Sequence, residues 1–188
     1  MTDIIAEEFG WKSFYESVID NPYLENFYDD MKRWSFNLQV YFLSHRFETH
    51  KNMTEGDFSS IQDRTIYEDV EIFARNLFEM GNMIEKDWNN YRALFKSMTS
   101  YLKEPDLIIY LQASVDTLLT RIKKRSRGFE REIPPEYIYS LNILYDRWIK
   151  KEQKQRNVLV IKTDDFNVFE DKKKLTELLE KVREYCPE

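Results

Sequence analysis

The chain has 188 residues, 42% of them apolar and 15% aromatic, which is enough to bury a core and too apolar for a disordered segment. Its net charge of −6 argues against the basic surface that nucleic-acid-binding proteins present. A single cysteine, Cys186, excludes internal disulfides and suits a reducing cytoplasm, and no apolar run nears the roughly 18 residues of a membrane span.

In chain order, residues 2–9 place Ile4, Ile5 and Phe9 on one helical face, with Gly10 as the stop. The first ten residues are acidic and lack the apolar core of a signal peptide. Lys12 to Glu16 reads as a short strand ending in a carboxylate. From about Pro22 to His50 the spacing predicts one long helix, with Leu24, Phe27, Met31, Trp34, Leu38, Tyr41 and Phe42 as its apolar stripe and Asn21 as its cap. A strand over Phe58 to Gln62 precedes helices at about 66–80 and 84–103, split near Gly81.

Asp106 to Gln112 is nearly continuous in apolar residues, as a parallel strand covered on both faces should be. Ser114 is placed to cap a helix running to about Lys124. A basic segment from Arg121 to Glu132 follows, then Pro134-Pro135 and a helix to about Asn157. Val158 to Ile161 is the last strand and 171–185 the last helix. Strands alternating with helices predict an α/β fold with a parallel sheet, in a single domain over 1–188.

Three constellations carry possible chemistry. Asp63-Arg64-Thr65, at the end of a short strand, joins an acid, an arginine and a hydroxyl, a set suited to phosphate handling. It is equally a pattern for a structural salt bridge. Arg121, Arg125 and Arg127 with Glu130 suit a lid of about 121–132 that folds over polyphosphate, or simply a solvated basic helix end. Glu16, at the end of the strand, falls at the carboxyl edge of the sheet, where α/β proteins bind ligands, or is simply an exposed strand-end carboxylate. His45 and His50 make no metal-ligand pattern and read as surface or packing residues.

Together these segments resemble the deoxynucleoside kinases, the family of deoxycytidine, deoxyguanosine and deoxyadenosine kinases. The run from Tyr28 through Arg33-Trp34-Ser35-Phe36 to Gln39 is similar to the family's tyrosine, R-W-S-F and base-reading glutamine. Asp63-Arg64-Thr65-Ile66-Tyr67-Glu68-Asp69 resembles its E-R-S-x-Y-x-D segment. Ile109-Tyr110-Leu111-Gln112-Ala113, with the arginines and Glu130 beyond it, resembles the fourth strand and arginine lid, and Ile133-Pro134-Pro135-Glu136-Tyr137 the segment after the lid.

The resemblance implies a P-loop-kinase-like parallel sheet flanked by helices, and transfer of the ATP γ-phosphate to the 5′-hydroxyl of a deoxynucleoside. Glu16 would act as general base, Arg64 would steady the transition state, and Asp63 would be linked to Mg2+ through water. Tyr28 and Glu130 would bind the sugar 3′-hydroxyl, and Gln39 the base edge, beside Trp34. Arg46 and Asp69 match a charged pair of the purine and cytosine kinases, which implies a deoxyadenosine/deoxyguanosine or deoxycytidine kinase rather than a thymidine kinase, and the overall similarity to the bacterial purine enzymes favours a purine substrate. Arg121, Arg125 and Arg127 would hold phosphate. A homodimer built on the helices at 66–80 and 134–157 is also implied.

Some positions depart from the family pattern. Glu16-Ser17-Val18 stands for E-P-V, and Asp63 and Thr65 stand for Glu and Ser. The family's first strand, central in the sheet, and its G-x-x-G-x-G-K-[ST] loop have no counterpart after Met1, and the four glycines are too scattered to form the loop. Lost backbone pairing costs about 1–3 kcal/mol for each buried group, against a stability of about 5–15 kcal/mol, so a chain without these parts is expected to be poorly stable and weak as a kinase. The alternatives are a non-enzymatic deoxynucleoside binder and a nucleoside monophosphate kinase such as thymidylate kinase; the Trp34 to Gln39 run argues against the latter.

Overall fold

Helix α1 (Thr2–Phe9) stops where the sequence requires it to. Gly10 takes a left-handed φ of 65°, and Trp11 N–H donates back to the Ala6 carbonyl at 2.9 Å, a closing turn that glycine adopts without steric cost. The computed structural model describes residues 1–15, 21–125, 133–167 and 170–186. They group into two compact units, residues 2–103 and, with Met1, 104–188.

In the first unit, β1 (Lys12–Phe14) lies parallel to β2 (Ser60–Gln62), with Ser13 opposite Ile61. Between them the expected single helix is divided into α2 (Leu24–Asp29) and α3 (Met31–Glu55). Asp30 leaves helical geometry, and its carboxylate accepts from Arg33 N–H at 2.9 Å, so an aspartate inside an apolar pattern acts as a fresh N-cap. Asn21 serves a turn ahead of α2, where its Oδ1 accepts from Tyr23 N–H at 2.9 Å.

The apolar stripe expected on α3 is only partly interior. Leu38 and Leu43 are buried, but so are Ser35, Gln39, Arg46 and His50, while Trp34, Tyr41 and Phe42 are half-exposed. A helix whose buried face is largely polar departs from the usual pattern, and buried polar groups are the informative ones.

The helix predicted at 66–80 forms as α4 (Ile66–Glu68), a π-helical turn over Asp69–Ala74 and α5 (Arg75–Glu79). It ends at Gly81, with φ 76° and Asn82 N–H donating to the Leu77 carbonyl at 2.8 Å. Helix α6 (Glu85–Thr99) buries Trp88 and Tyr91. Trp88 stacks between Phe78 at 5.4 Å and Tyr91 at 6.4 Å.

In the second unit, β3 (Ile108–Gln112) runs parallel to β4 (Val158–Lys162), in register from Ile108 opposite Val158 to Gln112 opposite Lys162. With one hydrogen-bonded neighbour among the described residues, β3 is half-buried rather than covered on both faces, and Leu111 is 41% exposed. Ser114 caps α7 (Val115–Arg125) as expected, its Oγ accepting from Thr117 N–H. Helix α8 (Pro135–Glu152) starts on proline and buries Tyr137, Ile138, Leu141, Leu144, Trp148 and Ile149. It stops short of Asn157, and α9 (Lys172–Tyr185) is capped by Asp171.

Candidate active site

The polar face of α3 is the start of the site. Gln39 and Arg46 are seven residues apart, two helical turns or roughly 10.5 Å along one face. Gln39 is 3% exposed, and its Oε1 has no hydrogen-bond partner among the described residues. Arg46 is 4% exposed and forms an ion pair with Asp69, Nε to Oδ2 at 2.6 Å; the contact is short rather than well aligned as a hydrogen bond. The Phe42 ring lies 5.8 Å from the Arg46 guanidinium carbon.

Asp69, 2% exposed, is the first residue of the π turn. A π turn inserts a residue into the helical repeat and changes which side chains share a face, a device that recurs at functional sites. It has no signature in the sequence, which is why 66–80 read as plain helix.

The Asp63-Arg64-Thr65 segment joins β2 to this helix. Asp63 N–H donates to the Phe14 carbonyl at 2.9 Å, fixing the acid beside the carboxyl end of β1. The side chain of Asp63 is exposed. Arg64 has φ 65°, the one non-glycine residue in the left-handed region among the described residues, and its guanidinium lies 4.3 Å from the Phe73 ring centre. The Thr65 hydroxyl is committed to a capping box: Thr65 N–H donates to Glu68 Oε2 at 2.6 Å, and Glu68 N–H to Thr65 Oγ1 at 3.4 Å. Of the triplet, the hydroxyl is thus engaged in capping the helix that follows.

Tyr28 on α2 is half-buried against Phe27 at 5.2 Å. Trp34 lies between Tyr23, at 5.9 Å, and the Arg33 guanidinium, at 4.5 Å. Glu16, Arg127 and Glu130 fall outside the described residues.

In the second unit, Arg121 and Arg125 lie on the last turns of α7 rather than in a loop, with Lys123 and Lys124 between them, where cations suit the negative helix end. Arg121 already holds the turn after β4, donating to Thr163 Oγ1 at 2.9 Å and to the Thr163 carbonyl. Asp164 in that turn accepts from Ser114 N–H at 2.9 Å and Ser114 Oγ at 2.7 Å. Hydrogen bonds from Thr117 and then Ser114 lower its carboxyl pKa to about 2.

Two further titratable groups are buried in the first unit. His50, read as a surface or packing residue, is buried; its Nε2 lies 2.8 Å from the Lys103 carbonyl, while its Nδ1 has no partner among the described residues. Burial lowers its pKa. Tyr91 is fully buried in α6, and its pKa is raised well above the ordinary phenol value, by burial first and then by the Asp69 carboxylate, against an opposing effect of Arg46.

Among the described residues no group of three carboxylate, histidine or cysteine side chains is placed to hold a metal ion. Asp63 fits a hard cation in one manner, as a lone exposed carboxylate bonding a metal-held water.

A model of the deoxynucleoside kinase family matches residues 1–187. The chain belongs to the deoxynucleoside kinase family. It is 35% identical over 184 residues to the deoxyadenosine/deoxycytidine kinase of Bacillus subtilis, covering 97% of this chain and 84% of that one. It is 33% identical over 165 residues to the deoxyguanosine kinase of the same organism, covering 88% and 79% of the two chains. A solved structure of deoxyadenosine kinase from M. mycoides with bound dCTP superposes with a TM-score of 0.85 at 30% identity, over 97% of this chain and 91% of that one. As a member of this family the chain is an ATP-dependent phosphotransferase by class, and its parallel strands flanked by helices are the family's architecture.

Proposed function

We propose that this deoxynucleoside kinase binds a purine deoxynucleoside through Gln39, Arg46 and Asp69 and passes the ATP γ-phosphate to its 5′-hydroxyl. The observation that carries the reading is Gln39, buried with its carbonyl oxygen unsatisfied, two turns along α3 from the buried Arg46–Asp69 pair. A buried acceptor without a partner costs free energy that a ligand donor recovers. A carboxamide offers donor and acceptor together, which matches the amino and ring-nitrogen edge of adenine or cytosine. The names of the relatives, deoxyadenosine/deoxycytidine and deoxyguanosine kinases, favour the same substrates.

In this reading Glu16 takes the proton of the 5′-hydroxyl as the oxygen attacks in line. Arg64 faces the charge that develops on the transferring group. Its left-handed backbone is a strain of the kind that collects at functional sites. Tyr28 and Glu130 receive the 3′-hydroxyl and Trp34 borders the base. Arg121, Arg125 and Arg127 meet the phosphates. Mg2+ bound with ATP would screen the phosphate charge, and Asp63 would hold it through water. The family match across 1–187 supports treating the whole chain as one kinase domain. Exposed Ile143 and Tyr139, one turn apart on α8, support a homodimer, and a lone half-buried Cys186 supports a reducing cytoplasm.

Calorimetry with deoxyadenosine, deoxyguanosine, deoxycytidine and thymidine tests the assignment. The expected order puts a purine first and thymidine last; thymidine as the tightest ligand overturns the charged-pair argument, and binding of none overturns the site. Formation of a monophosphate from a nucleoside, and none of a diphosphate from a monophosphate, separates this reading from a nucleotide kinase.

A further inference from the structure

Tyr91 does more than fill space. Its ring completes the Phe78–Trp88–Tyr91 stack, a packing role that phenylalanine would fill as well. The hydroxyl is what needs explaining. It is buried, Tyr91 being 0% exposed, and it has no hydrogen-bond partner among the described residues. Nearly all buried polar atoms in folded proteins find partners, so an orphan of this kind marks either a cost or a waiting contact.

Its surroundings point to the second. Helix α6 packs on α3 and on the π turn, the two elements that carry Arg46 and Asp69. The Tyr91 hydroxyl feels the Asp69 carboxylate and the Arg46 guanidinium, which shift its acidity in opposite directions. Burial first, and then Asp69, hold the phenol in its protonated form, and a protonated phenol is a donor that a carboxylate can use. The Nε of Arg46 and Oδ2 of Asp69 sit close but poorly aligned, a geometry that a base edge can redraw.

We propose that Tyr91 is a positioning residue for substrate specificity, its buried hydroxyl donating to Asp69 when a base edge engages the Arg46–Asp69 pair. On binding, the hydroxyl fixes the rotamer and charge of Asp69 while Arg46 turns part of its hydrogen bonding to the base. Tyr91 does not touch substrate; it acts through Asp69.

This inference rests on the assignment of Arg46 and Asp69 to the base site, and the experiment separates the two. Calorimetric affinity for deoxyadenosine and deoxycytidine, with thermal melting, is measured for the wild-type chain, Y91F, D69N and Y91F/D69N. Y91F is expected to bind about tenfold more weakly, the effect of losing one hydrogen bond to a charged group. Its melting temperature should be unchanged or raised, because it removes an unsatisfied hydroxyl and keeps the ring. In the D69N background the same change should shift affinity less than twofold. Y91F binding within twofold of wild type overturns the role of Tyr91 alone, as does an equal loss in both backgrounds or a fall in melting temperature. A wild-type chain that binds no deoxynucleoside overturns the base site, and this role with it.

Discussion

Gln39, Arg46 and Asp69 show how far single residues can be pushed by what surrounds them. Arg46 and Asp69 are both nearly inaccessible, so each depends on the other to offset desolvation. Breaking such a pair from one side is far worse than removing it whole. Arg46→Ala should cost about 3–5 kcal/mol in denaturant unfolding, whereas Arg46→Met combined with Asp69→Leu should recover most of that loss. A double replacement as unstable as Arg46→Ala would mean that the pair is not isolated in the interior. Gln39 should behave in the opposite way. Gln39→Leu removes an unsatisfied acceptor at similar volume, so the melting temperature should hold or rise while deoxynucleoside affinity falls by a factor of about 10 or more. Loss of stability together with affinity would make Gln39 a packing residue.

At the scale of elements, the local signals that sequence carries well are the ones that act through backbone chemistry. Gly10 and Gly81 both end helices with positive φ, and nothing within 4 Å would crowd an added Cβ at either position. The penalty for Gly81→Ala is therefore conformational, about 1–2 kcal/mol by the cost of left-handed backbone, and urea melting should find a similar figure for Gly10→Ala. A larger loss would point to hidden contacts. These stops, the Ser114 cap, Pro135 at the start of α8 and the four strands among the described residues were legible because each depends on a few adjacent residues. The break at Asp30 was not, because an aspartate amid apolar residues carries no mark saying whether it caps or faces water. The π turn was hidden because it depends on where Asp69 must reach, a tertiary fact. The polar face of α3 differs from expectation because periodicity assigns apolar residues to the interior, whereas Ser35, Gln39 and Arg46 are the ones buried here. Recognition of the site came instead from the joint order of motifs, which no single spacing could supply.

Among the described residues, His50 in the first unit and Asp164 in the second are two groups through which acid acts on stability. His50 in the first unit is buried, with Nε2 against the Lys103 carbonyl and Nδ1 unpaired among the described residues, and its pKa lies below the usual value of about 6.5. Below that usual value the unfolded chain binds a proton more readily than the folded one, so the stability His50 contributes is complete above about pH 6.5 and is lost as pH falls through its lower folded value. Asp164 in the second unit has a carboxyl pKa lowered to about 2 by Thr117 and Ser114. Its contribution is complete above the unfolded value of about 3.9 and is lost as pH falls from there towards 2. The two windows do not overlap at their upper ends, so acid should act on the residue 2–103 unit first. Melting curves at half-unit steps from pH 8 to pH 3 test this with His50→Gln and Asp164→Asn. His50→Gln should cost about 1 kcal/mol at pH 8 through its lost hydrogen bond, and the gap to wild type should narrow by pH 5.5, because glutamine takes no proton. Asp164→Asn should lower the melting temperature at neutral pH and flatten its fall below pH 4, leaving the slope near pH 6 unchanged. A gap for His50→Gln that stays constant with pH would show that the imidazole titrates alike in the folded and unfolded chain, and the order of the two windows would then fail.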